Sequence, residues 1–267
     1  MNGRLDDTFA RLRQQRRKAL IPFLTAEYPD PERFKPAVDA TCSSGADILE
    51  IGFPHSDPLA DGPVIQRSSH RAIVNGFTVS RGFAAIRSIA AAHSLPIVVM
   101  CYSNLIFRAG LSRFLGECRD SGVSGLIVPD MILEESDKLR STCARRDVAY
   151  IGLVTPTTPK DRAASIAEFG SGFLYLVSVT GTTGTRTRLD PKLRQSATRI
   201  KKQTALPVCI GFGISTPDMA AEAARYADGV IIGSKIIELI DSDNGDGHFR
   251  NLRGFMAEVA GRLGGNP

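Results

Sequence analysis

The chain lacks the features that would place it among stapled, metal-dependent or membrane-spanning proteins. Cys42, Cys101, Cys118, Cys143 and Cys209 form an odd set with no CxxC pair, which argues against a disulfide framework and suits a reducing cytosol. His55, His70, His93 and His248 are scattered, without an HExxH motif or a Cys/His cluster, so no metal site is expected. No apolar run is long enough to span a bilayer. The N-terminus has no apolar signal core, and the early Asp6 and Asp7 disfavour a transit peptide. A Walker lysine and a complete GxGxxG are both missing, so nucleotide binding is not indicated. No low-complexity linker divides the chain, and one cytoplasmic domain over residues 1–267 is expected.

Positive charge is in modest excess, with a net charge of +5, and much of it lies in Arg11–Lys18 (RLRQQRRK). Leu5, Phe9 and Leu12 share one helical face, and no aromatic residue interleaves with the basic run. The basic residues therefore read as the solvated side of an N-terminal helix, and nucleic acid is not an expected partner.

Eight short apolar runs recur along the chain: Ala19–Thr25, Asp47–Gly52, Pro96–Tyr102, Gly125–Pro129, Ala149–Val154, Phe173–Val179, Pro207–Gly211 and Gly229–Gly233. Each is β-rich, too short for a helix and apolar almost throughout, as strands covered on both faces are. Helical patterns separate them, at Pro31–Ser44, Thr78–His93, Leu111–Ser121, Glu134–Arg146, Arg162–Phe169, Pro191–Lys202 and Pro217–Tyr226. Asp30-Pro31, Asp190-Pro191 and Thr216-Pro217 each place a capping residue before a first-turn proline. Alternation at this length predicts an α/β fold, a (β/α)8 TIM barrel with an additional N-terminal helix plugging its floor; an open doubly wound sheet is the alternative. A further short helix is expected near Ile65–Ile73, and a last helix carries Phe249, Leu252, Met256, Val259 and Leu263 on one face.

Active sites of such barrels lie at the C-terminal strand ends. Glu50 sits there between Leu49 and Ile51, and the Pro-, Gly- and Asp-rich run Phe53–Pro63 carries a second acid, Asp61. Desolvation would raise the pKa of Glu50 and let it exchange protons near neutral pH; the alternative is a core-edge glutamate paired with an arginine. Asp130 and Tyr175 map to the same face. Three glycine-bearing segments, Thr180–Gly184, Gly211–Gly213 and Gly233-Ser234, follow strands six, seven and eight, and the last leads into the helical Lys235–Ile240. Backbone N–H groups and a helix N-terminus there would suit a phosphate. Arg186 and Arg188 either close over that anion or belong to a solvated loop.

The segments Pro22–Ala26 (PFLTA), Glu50–Gly52 with Ser56–Pro63 (SDPLADGP), Tyr102–Asn104 (YSN), Val128–Asp130 (VPD), Ser178–Gly184 (SVTGTTG) and Gly211–Ile214 (GFGI) resemble those of the tryptophan synthase α subunit family, in order along nearly the whole chain. SDPLADGP after a strand-end glutamate is the most specific of them. The resemblance implies cleavage of indole-3-glycerol phosphate to indole and glyceraldehyde 3-phosphate, a retro-aldol lyase reaction that needs no cofactor. It implies Glu50 as general acid–base, Asp61 as acceptor of the indole N–H, and Tyr175 beside the reacting side chain. Phe23, Ile65, Tyr102 and Phe212 would line the indole pocket, with Asp130 at its rim. Thr183, Gly184, Gly213, Gly233 and Ser234 would hold the substrate phosphate, under a Thr180–Leu189 loop suited to closure.

It also implies a pyridoxal-phosphate β subunit as partner in an α2β2 complex, with Pro54 and Asp57 at the contact. His55 and Glu27 stand where the family more often has an apolar residue and a glycine, and neither is expected to touch the chemistry. A stand-alone lyase releasing free indole, a catalytically weak regulatory partner of a β subunit, and a different phosphosugar barrel are the competing readings. Intact Glu50 and Asp61 argue against the regulatory partner, and SDPLADGP against another phosphosugar enzyme.

Overall fold

The computed structural model describes residues 3–177, 191–211, 213–243 and 247–264. Nine strands form one parallel sheet: β1 (Ala19–Thr25), β2 (Leu49–Gly52), β3 (Ile97–Met100), β4 (Val123–Ile127), β5 (Ala149–Tyr150), β6 (Gly152–Val154), β7 (Leu174–Val177), β8 (Val208–Gly211) and β9 (Gly229–Ile232). They pair in the order β5-β4-β3-β2-β1-β9-β8-β7-β6. The two ends of that order are consecutive in the chain, separated by Ile151 alone, so the sheet closes on itself as a TIM barrel.

The expected strand Ala149–Val154 is thus two short strands with a change of partner between them. Ala149 and Tyr150 pair with β4, Gly152 to Val154 pair with β7, and the Ile151 N–H donates to the Leu126 carbonyl at 3.0 Å. An apolar residue at this join gives no breaker signal, which is why the split is invisible in sequence.

Among the described residues twelve helices accompany the strands: α1 (Arg4–Gln14), α2 (Pro31–Cys42), α3 (Pro63–Val74), α4 (Val79–Ala92), α5 (Ser103–Ala109), α6 (Leu111–Asp120), α7 (Asp137–Arg145), α8 (Lys160–Phe169), α9 (Pro191–Lys201), α10 (Pro217–Ala224), α11 (Ser234–Asp241) and α12 (Arg250–Leu263). Asp30 and Thr216 cap as expected, accepting the Arg33 and Met219 N–H groups; Asp190 lies outside the described residues. The helix expected near Ile65–Ile73 is a full element begun by Pro63. The one expected over Glu134–Arg146 is a 3-10 turn (Leu133–Glu135) followed by α7, with Ser136 between. The α5 helix has no counterpart in the sequence reading: seven residues are too few to show a period.

Apolar side chains separate into two layers. One fills the barrel: Ile21, Ile48, Val98, Ile127, Ile151, Phe173, Tyr175, Cys209 and Ile231, with Leu5, Phe9 and Leu12 of α1 closing its floor. The other lies between strands and helices. Phe9 packs on Phe173 with ring centroids 5.9 Å apart. A Cβ at Gly125 or Gly172 would come within 3.1 or 2.9 Å of Leu5 Cδ1, so glycine is what lets the helix seat. Arg11, Arg13 and Arg16 face solvent, as expected of the outer side of this plug.

Candidate active site

Strand alternation aims Glu50. Ile48 belongs to the barrel interior, whereas Leu49 and Ile51 belong to the outer layer, so Glu50 points inward. It pairs in register with Phe23 on β1 and Val98 on β3. The residue is 1% exposed, and neither carboxyl oxygen has a hydrogen-bond partner among the described residues. Burial, then the neighbouring Asp61 charge, pushes its pKa up to about 8. Among the described residues no arginine bonds to it, which argues against the structural ion-pair reading.

The loop after β2 brings Asp61 close enough for its charge to act on this carboxyl. The Asp61 N–H donates to Pro58 O at 2.9 Å, and Gln66 Nε2 donates to Asp61 O at 2.9 Å, which ties the loop to α3. Burial raises the Asp61 pKa to about 6, opposed by the nearby Tyr102 hydroxyl and by His55. Tyr102 also accepts the Ala60 N–H at 3.0 Å. Two carboxyls of one pocket therefore differ: near pH 7 Glu50 holds its proton and Asp61 does not. Tyr175 lies in the same interior, its hydroxyl held far above the usual range by burial, then by Glu50 and Asp61.

Glycines let the aromatic rings in. A Cβ on Gly52 would lie 2.4 Å from Phe23 Cζ, and one on Gly211 would lie 2.4 Å from Tyr175 Cε2. Phe23, Ile65 and Gly233 converge, since a Cβ on Gly233 would meet Phe23 Cβ at 3.6 Å and Ile65 Cδ1 at 3.7 Å. Gly233 precedes the first turn of α11, which begins at Ser234, and Gly213 adopts a φ of +74°. Thr183, Gly184, Phe212, Arg186 and Arg188 lie outside the described residues.

Asp130 is exposed at the rim, and its carboxylate accepts the Ser103 N–H at 2.9 Å and the Ser103 hydroxyl at 2.7 Å, so it caps α5. Of the two residues expected to face a partner, Asp57 is exposed and Pro54 is buried within the chain. The expectation for His55 is overturned: its ring stacks on Tyr102 with centroids 4.5 Å apart, and it acts on Asp61. Glu27 keeps away from the site. It is buried at a φ of +58°, a conformation glycine adopts freely, and pairs with Arg81 Nε at 3.0 Å.

Three exposed apolar residues were not anticipated. Leu59, Phe107 and Ile132 are 83%, 60% and 52% exposed, and they follow β2, β3 and β4 on the face where the site opens. Neighbouring strands carry these segments, so the three form an apolar margin beside the pocket. No single stretch of sequence contains it.

The family model described as tryptophan synthase alpha chain matches residues 9–260. The tryptophan synthase alpha chain of Desulfosudis oleivorans is 42% identical over 256 residues, covering 96% of both chains. That of Arabidopsis thaliana is 38% identical over 261 residues, covering 97% of this chain and 95% of the plant protein. Among solved structures, a chain of Mycobacterium tuberculosis tryptophan synthase superposes with a TM-score of 0.92 at 33% identity, covering all of both chains. With the match extending from the floor helix through the last helix, this chain belongs to the tryptophan synthase alpha chain family.

Proposed function

We propose that the chain is a carbon–carbon lyase that cleaves indole-3-glycerol phosphate to indole and glyceraldehyde 3-phosphate, acting in tryptophan biosynthesis as the α subunit of a cytoplasmic α2β2 complex. The observation that carries this reading is a pair of unlike carboxyls at the strand ends that also carry the buried Phe23, Ile65 and Tyr102: Glu50, fully buried with neither oxygen partnered among the described residues, has its pKa raised further than that of Asp61.

The chemistry needs that difference. Indole leaves as a poor carbanion unless C3 is protonated first. Neutral Glu50 donates its proton to C3, and Asp61 accepts the indole N–H and stabilises the positive charge that develops on the ring. Glu50, now a carboxylate, takes the proton from the glycerol hydroxyl next to the scissile bond. That C–O becomes a carbonyl as the C–C bond breaks, and its electron pair returns to the ring. The proton given to C3 is balanced by the one recovered, so Glu50 ends as it began. Positioned proton transfer of this kind contributes about 10²–10⁴-fold. Tyr175 places its hydroxyl near the reacting side chain. The backbone at Gly213, Gly233 and Ser234 holds the phosphate at the start of α11, with Thr183 and Gly184. No cofactor is assigned to this chain, and pyridoxal phosphate belongs to the β subunit.

The apolar margin of Leu59, Phe107 and Ile132, with Asp57 beside it, supports a partner docked over the pocket mouth. The test is indole release from indole-3-glycerol phosphate by the purified chain, alone and with a tryptophan synthase β subunit. Slow release strongly accelerated by the partner is expected. Fast release indifferent to the partner would make it a stand-alone lyase, and no release in either case would reject the reading.

A further inference from the structure

His55 lies in the loop between β2 and α3, and Tyr102 directly precedes α5. Their rings stack at 4.5 Å between centroids with 27° between planes. His55 Nδ1 accepts the Asp57 N–H at 3.1 Å, which fixes the ring's orientation and leaves its face to the tyrosine. Tyr102 in turn holds the loop through the Ala60 N–H, which places its hydroxyl close enough to act on the neighbouring Asp61 carboxylate. The histidine, the tyrosine and the carboxylate thus form one connected brace. Its far end bears on the group that meets the indole nitrogen.

The geometry points to His55 as a positioning residue: it holds the Tyr102 ring so that the tyrosine hydroxyl stays on the Ala60 N–H and beside Asp61. The inference rests on the role proposed above for Asp61, but the brace itself is a property of the substrate-free chain. A phenolic hydroxyl beside a carboxylate favours the ionised form. If the ring loses its support, the hydroxyl draws away and Asp61 takes up its proton at higher pH. Among the described residues, the titratable groups around the brace are Asp57 on the same loop, Glu50 and Tyr175, on both of which the Asp61 charge acts, and Asp130, whose charge acts on Tyr102. None of these stacks on the Tyr102 ring in place of the imidazole.

The experiment compares His55→Ala and His55→Phe in the full chain, with and without a β subunit. Asp61 is titrated by carbon NMR of labelled aspartate carboxyls, without substrate. His55→Ala is expected to raise the Asp61 midpoint by about half a pH unit. It should lower kcat about fivefold while changing KM little, the size of effect expected from one lost aromatic pair. His55→Phe keeps the stacked face and should restore both. A His55→Ala midpoint equal to that of the wild type overturns the proposal, whatever happens to the rate. A midpoint raised equally by His55→Phe also overturns it, because the aromatic face would then not be the acting part. If His55→Ala loses its cooperative unfolding transition, His55→Leu, which fills similar space without an aromatic face, is titrated instead under the same criteria. Absence of indole release by the wild type would sink the proposed function alone, since the midpoints report on the brace independently.

Discussion

Glu50→Gln separates what this residue does for the reaction from what it does to the fold. The unfolded carboxyl ionises near its ordinary 4.5, whereas in the folded chain it holds its proton to about 8. Between those values the native state binds one more proton than the unfolded state, so the unfolding free energy falls as pH rises, by about 1.4 kcal/mol per pH unit. The loss is absent below the unfolded pKa and complete above the folded one, and over the window it amounts to roughly 3–5 kcal/mol. Glutamine never ionises, and near pH 4.5 it buries polar atoms much like those of the neutral acid. The variant is therefore expected to match the wild type in acid and to exceed it by roughly 3–5 kcal/mol in mild alkali. Urea unfolding followed by far-ultraviolet circular dichroism at about pH 5, 7 and 9 measures this, with linear extrapolation to water. Indole release by the same preparations should fall at least about 100-fold. A stability gap that does not grow with pH, or a glutamine variant that is the weaker protein in alkali, would show that Glu50 is solvated or paired and would refute the argument.

Three further outcomes are expected. The pH profile of kcat/KM should be bell-shaped, rising through the Asp61 pKa of about 6 and falling through the Glu50 pKa of about 8; Tyr102→Phe removes a hydroxyl that holds Asp61 ionised, so only the acid limb should move, upward, and a stationary acid limb would contradict the assignment. Phe107→Glu puts a charge into the exposed apolar margin and should weaken β-subunit binding by about tenfold or more in calorimetry, with no change in the basal rate of the isolated chain; undiminished affinity would place the partner elsewhere. Gly211→Ala sets a methyl group 2.4 Å from the Tyr175 ring and should cost about 1–3 kcal/mol in urea unfolding along with much of the activity, an expectation that a change below about 0.5 kcal/mol would contradict.

The barrel was legible because parallel strands buried on both faces must be apolar throughout, and because proline and capping residues mark helix starts such as Asp30-Pro31 and Thr216-Pro217. The acid inside one such strand was equally visible: Glu50 breaks a pattern that Leu49 and Ile51 keep. What stayed hidden depends on closure of the sheet. Nothing in the sequence says whether a buried glutamate has an arginine beside it, and here both oxygens lack a partner among the described residues. His55 and Tyr102 are far apart in the chain, and only adjacent placement of β2 and β3 brings their rings together. The same holds for Leu59, Phe107 and Ile132, each unremarkable in its own segment. Asp130 is engaged at the start of α5, a helix too short to be anticipated.

The helix that closes the barrel floor imposes an order on folding. It leaves the ribosome before any strand, yet Leu5, Phe9 and Leu12 belong to a buried cluster that also takes in Phe173 and side chains of β7, β8 and β9, which are made when most of the chain is already out. Until then its apolar face has no native surface to cover it. The earliest segment is thus among the last to dock, so early strands cannot be sealed as they emerge, and the nascent chain must carry an unspent hydrophobic helix through most of its synthesis. A chain released before β8 and β9 would lack part of the seat for that helix and would present its apolar face to chaperones or to other unfinished chains.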